Sequence, residues 1–111
     1  MNPKLEPKYA VLFSYQFGDD TEGYEEMDEL TLQLARTIPG YCGYESAKSD
    51  SRNMFISYWA SEAAIAEWRK HATHIQAKAQ SKKWYAWYNS MICKIEVGHF
   101  HTPDGKINLK F

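Results

Sequence analysis

Apolar and polar residues alternate along the chain in patterns that predict six elements. Four short runs rich in aromatic and branched side chains predict strands, at 9–17, 41–48, 54–59 and 91–100. Between them, two longer stretches repeat apolar residues every three or four positions, which is typical of amphipathic helices. Four antiparallel strands with both helices on one face satisfy this order, βαββαβ. We therefore predict an α+β, ferredoxin-like fold.

Each predicted helix has an apolar stripe that should face the sheet. The first helix follows three residues with capping oxygens, Asp19, Asp20 and Thr21. Its stripe consists of the apolar residues Tyr24, Met27, Leu30, Leu34 and Ile38. Ser61 is the expected cap of the second helix, whose stripe consists of Ile65, Trp68, Ala72, Ile75 and Ala79. A break is predicted at 81–83.

The first and third predicted strands carry apolar side chains on both faces. In the third strand, three residues on one face alternate with Phe55 and Trp59 on the other, namely Met54, Ile56 and Tyr58. A sheet with one wet face instead alternates apolar with polar residues. Two helices can cover only one face, and the other would expose a larger apolar patch than monomers tolerate. We therefore expect a homodimer packed through the sheet face, a dimeric α+β barrel.

Length, charge and composition narrow the possible partners. We expect the 111 residues to form a single domain spanning 1–111, with a core at about 9–100 and a tail at 101–111 that could pair with a sheet edge or reach a neighbour. The 13 basic and 14 acidic residues form no basic stripe, so we expect no nucleic-acid partner.

No apolar run approaches the ~20 residues of a membrane span, and the polar start is unlike a signal peptide. We expect a cytoplasmic protein without membrane contact.

The two cysteines are expected to be structural. Cys42 and Cys93 lie in predicted strands at opposite edges of the sheet, too far apart for a disulfide. Neither has further ligands at the short spacing of a metal site. A thiol in an apolar strand behaves as a small hydrophobe, and we predict that role for both.

An ordered series of motifs resembles the antibiotic biosynthesis monooxygenase family, small dimeric α+β barrel proteins, over roughly residues 9–100. The motifs are Pro39-Gly40-Tyr41 with Gly43-Tyr44-Glu45, then Ile56-Ser57-Tyr58-Trp59 with Ser61-Glu62-Ala63, and finally Trp68, His71, His74, Gln80, Trp84-Tyr85 and Tyr88. The resemblance implies a cavity between the sheet and the second helix. Family members use such a cavity for cofactor-independent oxygenation of aromatic polyketides, and others bind and degrade haem.

The resemblance implies a small oxidoreductase, a cofactor-independent monooxygenase that acts on a small aromatic molecule. The catalytic candidates are His74, Trp68 and Tyr15. An imidazole titrates near neutral pH, so His74 would assist proton removal, and the carbanion would react with oxygen without metal or flavin. Trp68 and Tyr15 would form walls of the cavity. The expected pocket residues are Ser14, Ser57, Trp59, His71, Trp84, Tyr85 and Tyr88.

Other interpretations of these residues stay open. A haem-binding or haem-degrading protein would use His74 or His71 as the iron ligand, although the first strand carries Ser14 and Tyr15 where haem-degrading members have an Asn. A non-catalytic ligand-binding dimer would use the same cavity, and a purely structural dimer would need none. Histidines hydrogen-bonded at a rim and serines bonded to local backbone are the simpler alternatives. No metal site is expected, because the only carboxylate within reach is Glu67, four positions before His71.

Overall fold

The computed structural model describes residues 6–78 and 84–111 of the chain. Six elements follow the predicted order: β1 (Tyr9–Phe17), α1 (Tyr24–Thr37), β2 (Tyr41–Lys48), β3 (Asn53–Trp59), α2 (Glu62–Lys78) and β4 (Tyr85–Lys94). The strands form one antiparallel sheet in the order β2-β3-β1-β4. Helix α1 packs against β2, and α2 packs against β3 and α1. The predicted ferredoxin-like α+β fold is confirmed.

The fourth strand lies earlier in the chain than its pattern predicts. The sequence predicts a strand at 91–100, whereas β4 spans Tyr85–Lys94. Its ladder with β1 explains both limits, because Tyr85 pairs with Phe17 and Lys94 pairs with Tyr9, the two ends of β1. Past the end of that ladder the alternation continues, but Ile95 is only half-buried and Val97 is 75% exposed. The sequence prediction for this strand is therefore wrong by about half its length.

Helix α1 begins without the side-chain cap that the sequence predicts. Gly23 is the N-cap residue in a left-handed conformation, with φ of 86°, and no side chain of the described residues caps the helix. Asp20 instead accepts a hydrogen bond from the Glu22 N–H (3.1 Å) in the preceding turn. The buried face consists of residues four apart, Met27, Thr31 and Ala35. Leu30 is 52% exposed, because one position corresponds to a rotation of about 100° around the helix.

Helix α2 begins as the sequence predicts. The Ser61 hydroxyl accepts a hydrogen bond from the Ala64 N–H (3.1 Å), which confirms it as the cap. Ile65 and Ala72 are each 2% exposed and Trp68 is half-buried, so the predicted apolar stripe faces the sheet. Ala79 and the break predicted at 81–83 lie outside the described residues.

Trp59, one of two fully buried tryptophans among the described residues, lies beneath both helices. It has no exposed surface, and its ring centroid lies 5.1 Å from that of Tyr41 in β2 and 5.6 Å from that of Trp68 in α2. Together with Val11 and Ile65 it forms one apolar cluster. Burial of aromatic side chains dominates core energetics, so this cluster holds the helices over the β2-β3 half of the sheet.

The two faces of the sheet have different neighbours. Trp59 projects towards the helices, and Tyr58 projects from the other face, as the sequence predicts. That other face carries apolar side chains that remain at least one third exposed, such as Met54 at 36% and Met91 at 51%, around the half-buried Leu12. None of the described helices is long and apolar enough to cross a bilayer.

The tail pairs with the edge of the chain's own sheet. Tyr44 in β2 and Lys110 exchange two backbone hydrogen bonds, of 2.8 and 2.9 Å. The Tyr41 hydroxyl donates a third bond to the Phe111 carbonyl (2.7 Å). Of the two alternatives for the tail, the structure therefore shows the first, pairing with a sheet edge.

Both cysteines are free and lie in the two edge strands. Cys42 is buried in β2, and Cys93 is half-buried in β4. Burial raises the pKa of the Cys42 thiol to about 11, so the thiol is protonated at neutral pH. The predicted absence of a bridge follows from the strand order, because β3 and β1 lie between the two thiols.

We expect Gly43→Ala to destabilise the protein by more than about 1 kcal/mol. Gly43 has φ of 127°, and an added Cβ would lie 2.5 Å from the Lys110 carbonyl oxygen, so the substitution strains the backbone and displaces the tail. Gly105→Ala is the matched control, because Gly105 has φ of 71° with no atom within 4 Å of an added Cβ. Urea unfolding measures both free energies. If both variants lost the same free energy of unfolding, the contact between Gly43 and the tail would contribute nothing to stability.

Candidate functional site

A cavity of about 660 Å³ lies between the helix-facing side of the sheet and the two helices. Alternate residues of β1 face it because successive strand side chains point to opposite faces, and these are Val11, Phe13 and Tyr15. Its walls are mainly aromatic, with rings also from Tyr24, Phe55, Trp59, Trp68, Tyr85 and Tyr88. This composition suits a flat, apolar ligand.

The cavity exists because the helices leave the β4 side of the sheet uncovered. Tyr88 and Ile92 pair with Tyr15 and Val11 and so share their face of the sheet. Tyr15 and Val11 are buried, at 6% and 8%, whereas Tyr88 and Ile92 are 60% and 45% exposed. The hollow therefore opens towards β4.

Two tyrosine hydroxyls meet inside this hollow. The Tyr24 hydroxyl donates a hydrogen bond to the Tyr15 hydroxyl over 3.1 Å. Burial, with the bond to Tyr15 as the next cause, raises the pKa of Tyr24 far above its ordinary value. Burial likewise raises the pKa of Tyr85, whose ring centroid lies 5.4 Å from that of Tyr15. The phenols of Tyr24 and Tyr85 therefore stay protonated at neutral pH. Because Tyr24 donates its proton to Tyr15, the Tyr24 oxygen can accept a hydrogen bond from a ligand hydroxyl, and the Tyr15 hydroxyl can donate one.

Trp68 forms the part of the cavity wall where the helices meet. Its indole N–H donates a hydrogen bond to the Thr31 carbonyl of α1 (3.0 Å). The Trp59 indole N–H similarly donates to the Ser57 hydroxyl (2.9 Å). Both indole donors are thus satisfied by the protein, and Ser57 has a local partner, so the tryptophans present apolar ring faces to the cavity.

Two charged residues also line the cavity, Asp28 from α1 and Arg69 from α2. Asp28 is half-buried, and its carboxylate has neither a hydrogen bond nor an ion pair within residues 6–78 and 84–111. Burial raises the pKa of this carboxyl, Glu29 raises it further, and Lys48 opposes the shift. Asp28 was not among the residues predicted from the sequence. The available signal was its spacing of four from both Tyr24 and Leu32, which places all three on one helix face.

A second hollow of about 590 Å³ adjoins the first. The two share five lining residues, Tyr15, Tyr24, Asp28, Leu32 and Phe55. The second hollow also contacts Glu25, Glu26 and Lys48, and is therefore more polar than the first. Asp28 lies where the aromatic chamber meets this charged one.

Six of the residues expected in the site line the aromatic cavity, namely Tyr15, Ser57, Trp59, Trp68, Tyr85 and Tyr88. Ser14 does not, because it lies on the other face of the sheet, where its hydroxyl accepts a hydrogen bond from the Asn89 amide (3.3 Å). Trp84 does not either, since it is 1% exposed and donates its indole N–H to the Glu22 carbonyl (2.7 Å). It fixes the start of α1.

The structure places the candidate histidines outside the cavity. His71 and His74 are exposed on α2, and neither is among the cavity-lining residues. His71 instead lies 3.0 Å from the Glu67 carboxylate. The reason is helical phase, because α2 presents Trp68, Arg69 and Ala72 to the cavity, and His71 and His74 fall on the flank. Within the described ranges no three His, Cys, Asp or Glu side chains are grouped to hold a metal ion.

Comparison with known proteins places this architecture in a family. The family model for antibiotic biosynthesis monooxygenases matches residues 13–80, more than half of the chain. The chain belongs to this family. It is also similar to the uncharacterized protein YqjZ of Bacillus subtilis (strain 168), with 38% identity over 92 residues that cover 81% of each protein.

Solved structures share the fold of this chain at low sequence identity. SnoaB, a cofactor-independent oxygenase from Streptomyces nogalater, superposes with a TM-score of 0.64 at 8% identity, over 84% of this chain and 97% of that one. Rv0793 from Mycobacterium tuberculosis superposes with a TM-score of 0.66 at 14% identity, over 81% of this chain and 96% of that one. At these identities the likeness establishes the fold alone.

We expect Asp28→Asn to stabilise the protein at neutral pH. The folded-state pKa of Asp28 is raised, so the carboxyl holds its proton more tightly in the folded chain. Its contribution to stability is fully present below the unfolded pKa of about 3.9 and is lost as pH rises through the folded value. The urea midpoint of the variant should exceed that of the wild type at pH 7, and the gain should vanish below about pH 3.5.

Glu29→Gln is the matched control for this measurement, because Glu29 is exposed on the same helix and does not line the cavity. Its urea midpoint should change little. If Asp28→Asn were no more stable than the wild type at pH 7, burial of the Asp28 carboxylate would not destabilise the folded protein.

Proposed function

We propose that the protein is a cofactor-independent monooxygenase that binds a small hydroxylated aromatic molecule in the cavity beneath the helices. The observation that carries the proposal is the aromatic chamber with the hydrogen-bonded Tyr24 and Tyr15 hydroxyls, in a chain of the antibiotic biosynthesis monooxygenase family. The similarity to SnoaB, a cofactor-independent oxygenase, supports the reaction class.

The cavity dimensions and walls support binding of a fused aromatic ring system. A volume of about 660 Å³ lies within the usual range for small-molecule sites, roughly 300–1,000 Å³. Rings such as Phe13, Tyr85 and Trp68 can contact a planar ligand by stacking or edge-to-face. The Tyr24 and Tyr15 hydroxyls would bond to oxygen substituents of the ligand and so fix its orientation.

The proposed reaction needs only the substrate and oxygen. Loss of a proton from a ring carbon gives a carbanion, which forms a C–O bond with O2 and becomes a peroxide anion. Protonation gives a hydroperoxide, which loses water and leaves a carbonyl group. A ring methylene and O2 thereby become a ketone and water, and oxygen is both the oxidant and the source of the new oxygen atom.

We expect the protein to consume oxygen with a hydroxylated anthracene derivative such as dihydroxyanthrone. Tyr24→Phe removes the hydroxyl that would hold the substrate, and the loss of one hydrogen bond should weaken binding by about 1 kcal/mol, or roughly fivefold. Tyr9→Phe is the matched control, because Tyr9 packs against the core but does not line the cavity. An oxygen electrode and tryptophan fluorescence measure turnover and binding.

Two results would redirect this proposal. Binding without oxygen uptake would favour the non-catalytic ligand-binding alternative. A Soret shift on addition of haem that His74→Ala removes would favour the haem alternative. The exposed position of His74 and His71, outside the cavity, gives that alternative no support.

We further propose that two copies of the chain pack through the sheet faces that lie away from the helices. Apolar side chains on that face, such as Met54 and Met91, are one third to one half exposed. Leu12 and Ile56 lie at its centre on the two middle strands. Contact with a second copy would remove this surface from water, at about 25 cal/mol for each Å² of apolar area.

We expect the wild type to sediment as a dimer at micromolar concentration. Leu12→Lys places a charge at the centre of the proposed interface and should shift the protein to monomers or aggregates, because an unpaired buried charge is costly. Leu30→Lys is the control, since Leu30 is 52% exposed on α1, and it should stay dimeric. A folded wild-type monomer would refute the interface.

A further inference from the structure

The proposed reaction needs a base, and the histidines lie outside the cavity. The titratable lining residues are Asp28, Arg69 and the tyrosines 15, 24, 41, 85 and 88. Phenols are protonated at neutral pH, and a guanidinium keeps its proton throughout. Asp28 is therefore the one lining residue, among those described, whose side chain is ordinarily an anion. We propose that the Asp28 carboxylate is the catalytic base that takes the proton from the substrate, an assignment that rests on the proposed binding of an aromatic molecule in this cavity.

The position of Asp28 in the fold supports this role. It belongs to both hollows, so a ligand in the aromatic chamber would reach it while solvent could still exchange protons through the second hollow. It follows Tyr24 by one helical turn, which puts the two side chains on the same face of α1. A substrate oxygen bonded to the Tyr24 hydroxyl would thus lie near the carboxylate.

The carboxylate is also free for such a task. Among the described residues it has no hydrogen-bond donor and no ion pair. It is half-buried and keeps access to solvent through the second hollow. Partial burial raises its pKa, which makes it a stronger base than an exposed aspartate.

Charged and titratable groups surround Asp28 on several elements. Glu29 lies beside it on α1, Lys48 reaches from β2, and Arg69 lines the same cavity from α2. Tyr24 on α1 and Tyr85 on β4 are close enough for the carboxylate to raise their pKa values as well. Arg69 would supply positive charge beside the substrate anion once the proton has moved to Asp28.

The proton can be followed through the complete reaction. An oxygen of the Asp28 carboxylate takes a proton from the ring methylene, and the electron pair of the C–H bond stays on carbon. This carbanion forms the C–O bond with O2, and the neutral Asp28 returns its proton to the terminal peroxide oxygen. The hydroperoxide then loses the remaining C–H proton and hydroxide as water. Asp28 ends as the carboxylate that began the cycle.

The test separates proton removal from oxidation. With dihydroxyanthrone under nitrogen in D2O, the wild type should accelerate deuterium exchange of the ring methylene, and Asp28→Asn should lose this by about 10²- to 10³-fold. The ligand should still quench tryptophan fluorescence in the variant, with an affinity within about twofold of the wild type, because a neutral amide replaces the carboxylate at nearly equal volume. Asp28→Glu should restore part of the exchange.

The pH dependence gives a second readout. The rate of deuterium exchange by the wild type should rise with pH, and the midpoint of this rise should lie above the ordinary aspartate pKa. Asp28→Asn should lack the rise. Glu29→Gln removes the neighbouring negative charge. It should keep the maximum exchange rate and move the midpoint of the rise to lower pH.

Each outcome decides a different claim. Exchange that Asp28→Asn abolishes supports the base even if oxygen is not consumed, and in that case only the oxygenase reaction fails. Wild-type rates of exchange and oxygen uptake in Asp28→Asn would overturn the base and leave the oxygenase intact. A wild type that neither binds dihydroxyanthrone nor exchanges its methylene protons would overturn both.

Discussion

The packing of Trp59 against Tyr41 and Trp68 determines where the helices lie, and the rest of the structure depends on that contact. These rings join β3, β2 and α2 in one buried cluster. With the two described helices held over the β2-β3 half, the β4 side of the same face has too little cover to close. The core and the cavity are therefore two results of one packing arrangement. A substitution that shifted α2 across the sheet would alter both.

The fold could be predicted from the sequence because its signals are local. The bounds predicted for β1 and β2 agree with those observed, and Ser61 correctly marked the start of α2. The fourth strand was harder, since the ends of β4 are determined by the length of β1, a partner nearly eighty positions away. Alternation at 91–100 carries no information about that partner.

Part of the site was predictable because strand alternation determines which way a side chain points. Tyr15, Ser57 and Trp59 follow from that rule, and the structure places them on the cavity side. Predicting which helical residues face the cavity requires knowing how the helix is rotated about its axis. Each position is a rotation of about 100°, and this separates the exposed His71 from the buried Ala72. Asp28 was overlooked because a charged residue in an amphipathic helix is usually assigned to the solvent side. Its neighbours at a spacing of four, Tyr24 and Leu32, contradict that assignment.

The pairing of Tyr44 with Lys110 has a consequence for how the protein behaves at high concentration. An unpaired edge strand is a template on which other chains can add strands without limit, and it is a common start of aggregation. The tail occupies this template along β2 through two backbone bonds and covers Gly43 at close range. Loss of the tail would therefore uncover a β2 edge able to recruit foreign strands, and with it a route to fibrous aggregates.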